Sequence, residues 1–214
     1  MNKKIQIIFD FDGVILNSHK VKTVGFYFTF KKFGNSIGSK AKNYHLKNIG
    51  ISRFAKFRYI KKKFLSDNKI KITDLNKKFN DYCFNKIISL KVNHHLLNFL
   101  KKNYKKYDFF ISTGTPEKEI IKILKNKGIF HFFKKIYGSP RKKVEHINLI
   151  KKRKQKRIFI GDSEEDLFSA KKTSTFFILK EHSENKEQFK KLNIYKINNF
   201  LNFELKIEKL VKSL

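Results

Sequence analysis

Cysteine is almost absent from this sequence, because Cys83 is the only one among 214 residues. A single thiol excludes a disulfide within the chain and a zinc site built from several cysteines. Cys83 lies in the stretch FNDYCFNKII, which is rich in apolar and aromatic residues. We therefore interpret Cys83 as a small residue of the core.

Long apolar runs are also lacking, and no stretch approaches the ~20 residues that a membrane-spanning helix needs. Near the N-terminus, Lys3 and Lys4 precede a short apolar run that Asp10 and Asp12 interrupt. A secretory signal peptide has an uninterrupted apolar segment at this point. We therefore expect a soluble, cytoplasmic protein without a membrane partner. Nothing in the sequence indicates an obligate protein partner.

Acidic residues and arginine are scarce: 18 Asp and Glu stand against 50 Lys and Arg, a net charge of +32. Such a charge attracts phosphorylated metabolites or nucleic acid. Only five of the 50 cations are arginine, the residue that nucleic-acid readers favour for bidentate contacts. With 24 Phe, two Pro and no Trp, the composition is typical of an AT-rich coding sequence. Nucleic acid is therefore the less favoured partner, and the basic run KKRKQKR at 151–157 is interpreted as the end of a helix.

Short apolar runs alternate with helix-like segments along most of the chain. The runs predicted as strands are 5–11, 108–112, 157–161, 175–179 and, more weakly, 193–197. The segments predicted as helices are 116–127, 142–152, 163–172 and 201–213. This alternation favours right-handed βαβ units and predicts an α/β fold with a Rossmann-like, doubly wound parallel sheet.

Residues 17–92 break this alternation. They are polar and basic with scattered aromatic residues, and they indicate several helices separated near Gly34, Gly38 and Gly50. About 75 residues is too long for a single crossover between two strands. We therefore predict an inserted α-helical cap at 17–92 and a catalytic core formed by residues 1–16 and 93–214.

Polar residues stand where the predicted strands end or the next helix begins. They are Asp10 and Asp12, then Ser112, Thr113 and Gly114, then Lys142 and Lys143, and finally Asp162 and Asp166. Because ligands of parallel sheets bind outside the carboxyl ends of the strands, we expect these residues to converge on one edge.

The residue types in this set predict phosphoryl-transfer chemistry. The carboxylates of Asp10 and Asp162 suit Mg²⁺, which prefers hard oxygen ligands. The hydroxyl of Ser112, the ammonium of Lys143 and loop N–H groups suit the oxygens of a phosphoryl group. One carboxylate can attack phosphorus, and a second one, such as Asp12, can transfer the proton.

Four segments, FDFDGVILNS, FISTGTP, GSPRKK and IGDSEEDL, resemble in this order the four motifs of the haloacid dehalogenase superfamily, chiefly its phosphatases. The insertion after the first motif is similar to the helical cap of the phosphoglycolate phosphatase and β-phosphoglucomutase branch. The resemblance covers nearly the whole chain. It implies a phosphatase that acts on a small phosphomonoester, such as a sugar phosphate or phosphoglycolate.

The resemblance also implies roles for the carboxylates. Asp10 would be the nucleophile that forms an aspartyl-phosphate, and Asp12 would be the general acid and base. Mg²⁺ would be held by Asp10, by the backbone carbonyl of Asp12 and by Asp162. Asp166 would hold the metal through water or from behind the direct ligands.

The phosphoryl oxygens would be held by Ser112 and Lys143. Thr113 is the alternative to Ser112 if the strand ends one residue later, and Lys142 is the alternative to Lys143. Gly114 would belong to a turn that faces the phosphate.

The cap segment IGISRFAKFRYI resembles a stretch of β-phosphoglucomutase in which an arginine after Gly-x-Ser binds the distal anionic group. This resemblance implies that Arg53 binds the substrate. Lys22, at the start of the cap, is interpreted as a solvated lysine, with a position facing the site as the alternative. The seven histidines, His94 and His95 included, show no metal-binding spacing.

Three other functions stay open. A phosphomutase of the same branch would use the same residues and retain its bisphosphate intermediate. A polynucleotide-end phosphatase would make use of the positive charge and bind in a strongly salt-dependent way. A binding module without catalysis would not need both Asp10 and Asp12.

Overall fold

The computed structural model describes residues 4–65, 69–150 and 155–213. Within these ranges a six-stranded sheet is built from β1 (Gln6–Phe9), β2 (Asp108–Pro116), β3 (Phe133–Ser139), β4 (Arg157–Gly161), β5 (Phe176–Lys180) and β6 (Tyr195–Ile197). The strand order is β3-β2-β1-β4-β5-β6, and all neighbouring strands are parallel. The chain winds from β1 to one edge and then to the other, so the predicted Rossmann-like, doubly wound sheet is confirmed.

The register of the central strands brings their ends to one level. Phe9 in β1 is aligned with Ile111 in β2 and with Ile160 in β4. All three side chains are fully buried, as expected for central strands that are covered on both faces. The residues that follow these positions therefore lie side by side at one edge of the sheet.

The described residues contain nine α-helices. They are α1 (His19–Lys31), α2 (Asn35–Leu46), α3 (Arg53–Phe64), α4 (Ile72–Ser89), α5 (His94–Asn103), α6 (Glu117–Asn126), α7 (Lys143–Ile150), α8 (Glu164–Lys172) and α9 (Phe203–Ser213). Apolar residues of α5, α6 and α9 pack on one face, and those of α7 and α8 pack on the other. None of the helices in the described parts of the chain has the length and apolar content to cross a membrane.

Helices α1–α4, here called the cap helices, follow β1 and share an aromatic core. The rings of Phe26, Phe57 and Phe79 lie with their centroids 5.1–5.8 Å apart. Cys83 of α4 is buried at Gly25 of α1, where an added Cβ would come within 2.3 Å of its sulfur. The prediction that Cys83 is a core residue is confirmed. The division into a core and a cap at 17–92 stays a prediction.

Strand β3 is not predicted from the sequence. Its stretch FKKIYGS contains the exposed Lys134 and Lys135 between the buried Phe133 and Ile136. Because β3 is an edge strand, it lacks the continuous apolar run that marks β1 and β4. Helix α5 is not predicted either, whereas the other predicted strands and helices α6–α9 lie near their predicted positions. Residues 151–154 of the basic run lie outside the described residues.

Candidate active site

A cavity of about 40 Å³ lies between the ends of the central strands and the cap helices. It is lined by the predicted site residues Asp10, Asp12, Arg53, Thr113, Gly114, Lys143 and Asp162, but not by Ser112, Lys142 or Asp166. These residues come from distant parts of the sequence. The parallel sheet and the cap helices together bring them to one place.

Lys143, at the start of α7, is buried between two carboxylates. Its Nζ lies 3.0 Å from Oδ1 of Asp10 and 2.5 Å from Oδ1 of Asp166. Burial alone would lower the pKa of Lys143, but the two carboxylates raise it well above its ordinary value, so the side chain stays charged. Burial also raises the pKa of Asp10 well above its ordinary value, although Lys143 opposes this rise. A further cation beside Asp10 would favour the ionised carboxylate that nucleophilic attack requires.

Asp166, in the first turn of α8, has protein partners for both oxygens. Oδ1 accepts from Lys143, and Oδ2 accepts from the backbone N–H groups of Asp162 at 3.2 Å and Ser163 at 3.1 Å. The backbone N–H of Asp166 is bonded in turn to the hydroxyl of Ser163, which completes a capping box. Asp166 therefore positions Lys143 and the loop after β4, and its predicted role at the metal stays a prediction.

Asp162 follows β4 and is held by two histidines. Its Oδ2 lies 2.6 Å from Nε2 of His19 and 3.0 Å from Nε2 of His182. Burial works to raise the pKa of Asp162, but its hydrogen bonds to His182 and His19 lower the pKa overall. The other oxygen, Oδ1, is buried without a hydrogen-bond partner among the described residues. Asp162 is thus an ionised carboxylate with one oxygen left for a ligand.

The carboxylates fit a divalent metal ion. Oxygen atoms of Asp10, Asp162 and Asp166 lie within 4.8 Å of one another. Lys143 is the ammonium that pairs with two of these three carboxylates, so their negative charge exceeds its positive charge. Hard oxygen donors, an excess of negative charge and the unpartnered Oδ1 of Asp162 fit Mg²⁺.

The group formed by His19, Asp162 and His182 is a second possible set of metal ligands. In His182, however, Nδ1 accepts a hydrogen bond from the backbone N–H of Glu184 at 3.2 Å. The neutral ring therefore carries its proton on Nε2 and donates it to Asp162. This arrangement favours positioning of Asp162 over metal binding by the histidines.

Asp12 is surrounded by hydrogen-bond donors. Ser18 donates to Oδ1 at 2.5 Å, while Lys22 at 2.5 Å and Thr115 at 2.9 Å donate to Oδ2. Removal from solvent works to raise the pKa of Asp12, but Lys22 lowers it well below its ordinary value. Asp12 is therefore held as a carboxylate that can accept a proton. The interpretation of Lys22 as a solvated lysine is wrong, because the side chain is buried against Asp12.

The structure places the two hydroxyl candidates on opposite faces of β2. The Ser112 hydroxyl lies 3.0 Å from Nδ1 of His146 in α7, and Ser112 does not line the cavity. Thr113 does line the cavity, and β2 continues beyond its predicted end at residue 112 to Pro116. Side chains alternate along a strand, so both residues cannot face the cavity. The geometry favours Thr113 over Ser112 as the phosphate ligand.

The two lysine candidates also differ in their surroundings. Lys143 is buried beside Asp10, whereas Lys142 is exposed. The geometry therefore agrees with the preference for Lys143.

Gly114 contacts the cap segment, since a Cβ there would lie 2.8 Å from the carbonyl oxygen of Gly50.

Arg53, the first residue of α3, lines the cavity but is bonded to protein groups. Its Nη2 lies 2.5 Å from Oε2 of Glu119 in α6, and its Nη1 donates to Oδ1 of Asn80 in α4. The guanidinium also lies over the ring of Phe79, 4.7 Å from the centroid. Arg53 thus connects the cap helices to α6, and its role toward the substrate stays a prediction.

Several residues of the site are not identified from the sequence. His19 and His182 are far apart in the chain, so no spacing reveals that both meet Asp162. Lys56 and His45 also line the cavity. Lys56 lies in the cap segment that resembles β-phosphoglucomutase but is given no role there, and His45 lies in no motif. The helical period of buried positions is the one signal that could have identified the residues of α1 and α3.

Comparison with known proteins agrees with the fold and the order of the motifs. The family model of the haloacid dehalogenase-like hydrolases matches residues 7–180. Among solved structures, β-phosphoglucomutase from Clostridium difficile is 19% identical, with 99% of each chain covered and a TM-score of 0.74. A predicted phosphatase from Clostridium acetobutylicum is 21% identical, with 96% of this chain and 99% of that chain covered and a TM-score of 0.73. A search of curated proteins found no match.

A third structure of the same fold is the HAD-hydrolase YfnB from Bacillus subtilis, which is described as bound to magnesium. It is 15% identical to this chain. The alignment covers 94% of this chain and 97% of the YfnB chain, with a TM-score of 0.64. At such identities the structures show a shared fold. The family model, by contrast, covers most of the chain and all four motif segments. The chain belongs to the haloacid dehalogenase-like hydrolase family.

Proposed function

We propose that this protein is a Mg²⁺-dependent phosphatase that hydrolyses a small phosphomonoester through an aspartyl-phosphate on Asp10. One observation carries the proposal: Asp10 is buried beside Lys143 and Asp162 in a cavity that is also lined by a second carboxylate, Asp12. A nucleophile, a proton carrier and cationic groups for phosphate oxygens are therefore in one enclosed place.

In the first step, an oxygen of Asp10 attacks phosphorus while the bond to the ester oxygen breaks and its electron pair goes to that oxygen. Asp12 gives a proton to the leaving oxygen. Asp12 must first take up this proton, which requires its contact with Lys22 to loosen, because the ammonium keeps the pKa of Asp12 low. In the second step, water attacks phosphorus, Asp12 accepts its proton, and phosphate leaves Asp10.

The phosphoryl oxygens would be held by protein groups on the same side of the cavity. We assign this role to the Lys143 ammonium, the Thr113 hydroxyl and the backbone N–H of Gly114. Lys143 keeps its positive charge through its contacts with Asp10 and Asp166, so it can stabilise the charge that develops on the oxygens.

Mg²⁺ would be held by Asp10, the backbone carbonyl of Asp12 and Asp162, with Asp166 behind them. The unpartnered Oδ1 of Asp162 and the excess of carboxylates over ammonium groups support this assignment. The magnesium described for the B. subtilis structure of the same fold also supports it. When bound, the ion would neutralise charge on Asp10 and on the phosphoryl oxygens.

The size of the closed cavity bears on the substrate. About 40 Å³ is room for a few water molecules, so a whole sugar phosphate enters only if the cap helices move away from the sheet. We propose a sugar phosphate or a phosphoglycolate-like molecule as substrate. A phosphomutase is the second candidate, favoured by the similarity of the fold to a β-phosphoglucomutase.

Phosphate release from a panel of phosphomonoesters tests the proposal. The native protein should release phosphate with Mg²⁺ and should lose this activity with a chelator. Asp10→Asn should lose it under both conditions while keeping its circular dichroism spectrum. Release that persists in Asp10→Asn would contradict the proposal, and formation of an isomeric phosphate ester in place of free phosphate would indicate the mutase.

A further inference from the structure

Lys56 in α3 and His45 near the end of α2 form a contact in the cap wall of the cavity. Nζ of Lys56 lies 2.9 Å from Nδ1 of His45. Both side chains line the cavity, yet Lys56 is only 2% and His45 only 6% exposed. The His45 ring is stacked on Phe26 with a centroid distance of 4.3 Å, so its orientation is fixed.

Lys56 differs from the other buried cations of this cavity. Lys22 pairs with Asp12, Arg53 pairs with Glu119, and Lys143 pairs with two aspartates. No ion pair among the described residues includes Lys56. Burial, followed by the repulsion from Lys22, lowers the pKa of Lys56 to about 7. A buried ammonium without a counter-ion is costly, and a bound anion would remove this cost.

His45 presents a second unmatched donor. A protonated Lys56 donates to Nδ1, so the neutral ring carries its own proton on Nε2. Burial and the neighbouring Lys56 lower the pKa of His45 well below its ordinary value, and the ring stays neutral. Nε2 is buried and has no hydrogen-bond partner among the described residues. The cap wall thus holds an N–H donor without an acceptor next to an ammonium without a counter-ion.

We propose that Lys56 and His45 form a subsite for a second anionic group, a carboxylate or a phosphate, on the phosphomonoester substrate. The proposal rests on the proposed function and adds the part of the substrate that is distant from the reacting phosphoryl group. The anion supplies the counter-ion of Lys56 and the acceptor for Nε2 of His45. Arg53, to which the sequence resemblance assigns this role, is already neutralised by Glu119.

Matched pairs of alkyl phosphates test the subsite. Phosphoglycolate differs from ethyl phosphate by a terminal carboxylate, and 1,3-propanediol bisphosphate differs from propyl phosphate by a terminal phosphate. For each pair the readout is the ratio of kcat/KM for the molecule with two anionic groups to kcat/KM for the molecule with one. We expect the native ratio to exceed ten in at least one pair.

Variants then assign this preference to the two residues. Lys56→Met should lower the ratio at least tenfold, through a higher KM for the molecule with two anionic groups, and Lys56→Arg should restore part of it. His45→Phe, which keeps a ring against Phe26, should lower the ratio as well. It replaces Lys56→Met in the test if Lys56→Met does not fold. Lys62→Gln, an exposed lysine on the same helix, is the control and should keep the native ratio.

Two results would overturn the subsite: a native ratio near one in both pairs, or equal ratios for Lys56→Met, His45→Phe and Lys62→Gln. Absence of phosphate release from all four compounds would count against the proposed function instead. In that case, calorimetric binding of phosphoglycolate and ethyl phosphate to native protein and to Lys56→Met decides on the subsite alone. Equal affinities of the two compounds for the native protein would reject it.

Discussion

Two buried lysines of the site show how neighbours determine the charge of a residue. Lys143 lies between two carboxylates, which raise its pKa although burial would lower it. Lys56 is buried to the same extent but contacts a histidine, and its pKa falls to about 7. The first lysine is therefore a permanent cation beside Asp10, whereas the second gains or loses its proton near neutral pH.

The pKa of Lys56 predicts a pH dependence of stability. Between pH 7 and about 10.4, the usual pKa of lysine, the unfolded chain holds this proton and the folded chain has released it. Since the unfolded state binds more protons, the free energy of unfolding should rise with pH by up to about 1.4 kcal/mol per unit from this residue.

Urea unfolding of native protein and Lys56→Met between pH 7 and 10 measures this contribution. The difference in stability between the two should change across the window, in favour of the native protein at higher pH. Lys62→Met, at an exposed position of α3, should show no such change relative to the native protein. A constant difference between the native protein and Lys56→Met would contradict the pKa of about 7.

Position 13 requires a glycine because the carboxylate of Asp162 occupies the space of a side chain. The φ of Gly13 is +79°, and an added Cβ would lie 1.9 Å from Oδ2 of Asp162 and 2.2 Å from Nε2 of His19. Gly13→Ala should displace Asp162 and reduce phosphate release about 100-fold, as expected for a shift of about 1 Å in a catalytic group. Gly128→Ala is the control, because Gly128 also has a positive φ of +67° but no atom within 4 Å of its Cβ position. Equal activities of the two variants would show that Asp162 tolerates the displacement.

The residues that the sequence identifies are those whose position follows from strand order alone. Asp10 and Asp162 directly follow buried strands, so the rule for parallel sheets places them together. The sequence predicts a strand that ends at residue 112 and favours Ser112, whereas β2 continues to Pro116, and one residue changes the face of a strand. Lys56 and His45 come from cap helices, whose orientation depends on packing that no motif records.

At the scale of elements, we expect the contact between the cap helices and α6 to decide whether the site is closed. Arg53 of α3 and Glu119 of α6 form an ion pair whose side chains are 5% and 9% exposed. Removal of one partner leaves a buried charge without its counter-ion, which destabilises a fold by roughly 3–5 kcal/mol. The pair is therefore expected to hold the cap helices against α6.

Glu119→Gln should lower the thermal unfolding temperature and raise KM, because Arg53 loses its partner and the closed arrangement is weakened. Glu208→Gln is the matched control, since Glu208 forms an exposed ion pair with Lys106 and its loss should leave both quantities unchanged. The role of the pair would be refuted if the two variants unfold at the same temperature and have the same KM.

Elements with a strong apolar pattern are predicted well, and those without it are missed. β1 and β4 are central strands with continuous apolar runs, and both are recognised from the sequence. β3 lies at the edge of the sheet, where the exposed Lys134 and Lys135 interrupt the pattern. The sequence predicts several helices in the insertion with breaks near three glycines, but Gly38 lies inside α2 and no glycine separates α3 from α4. The packing around Phe26, Phe57 and Phe79 is not predicted either.

At the scale of the whole molecule, acidic residues are few, yet four of the 18 gather at one edge of the sheet. The net charge of +32 attracts phosphorylated molecules, while the cap helices restrict which of them reach Asp10. Because even a sugar phosphate needs the cap helices to move before it enters the cavity of about 40 Å³, we expect a small substrate to be favoured over the end of a polynucleotide.

The charge predicts weak, salt-sensitive binding of nucleic acid outside the cavity. A DNA oligonucleotide should bind at low salt, lose its affinity steeply as salt rises, and leave the hydrolysis of a small phosphomonoester unaffected at about 0.15 M salt. Fluorescence anisotropy and phosphate release, measured over the same salt series, check this. Competitive inhibition by DNA at that salt concentration would instead favour a polynucleotide-end phosphatase.

The covalent step on Asp10 is tested most directly by trapping. The protein is mixed with Mg²⁺ and a phosphomonoester that it hydrolyses, quenched within one turnover, reduced with borohydride and digested for mass spectrometry. An aspartyl-phosphate is reduced to homoserine, so we predict homoserine at position 10 in the native protein and unmodified asparagine in Asp10→Asn. Rapid phosphate release without homoserine at position 10, or with homoserine at another aspartate, would contradict the assignment of Asp10 as the nucleophile.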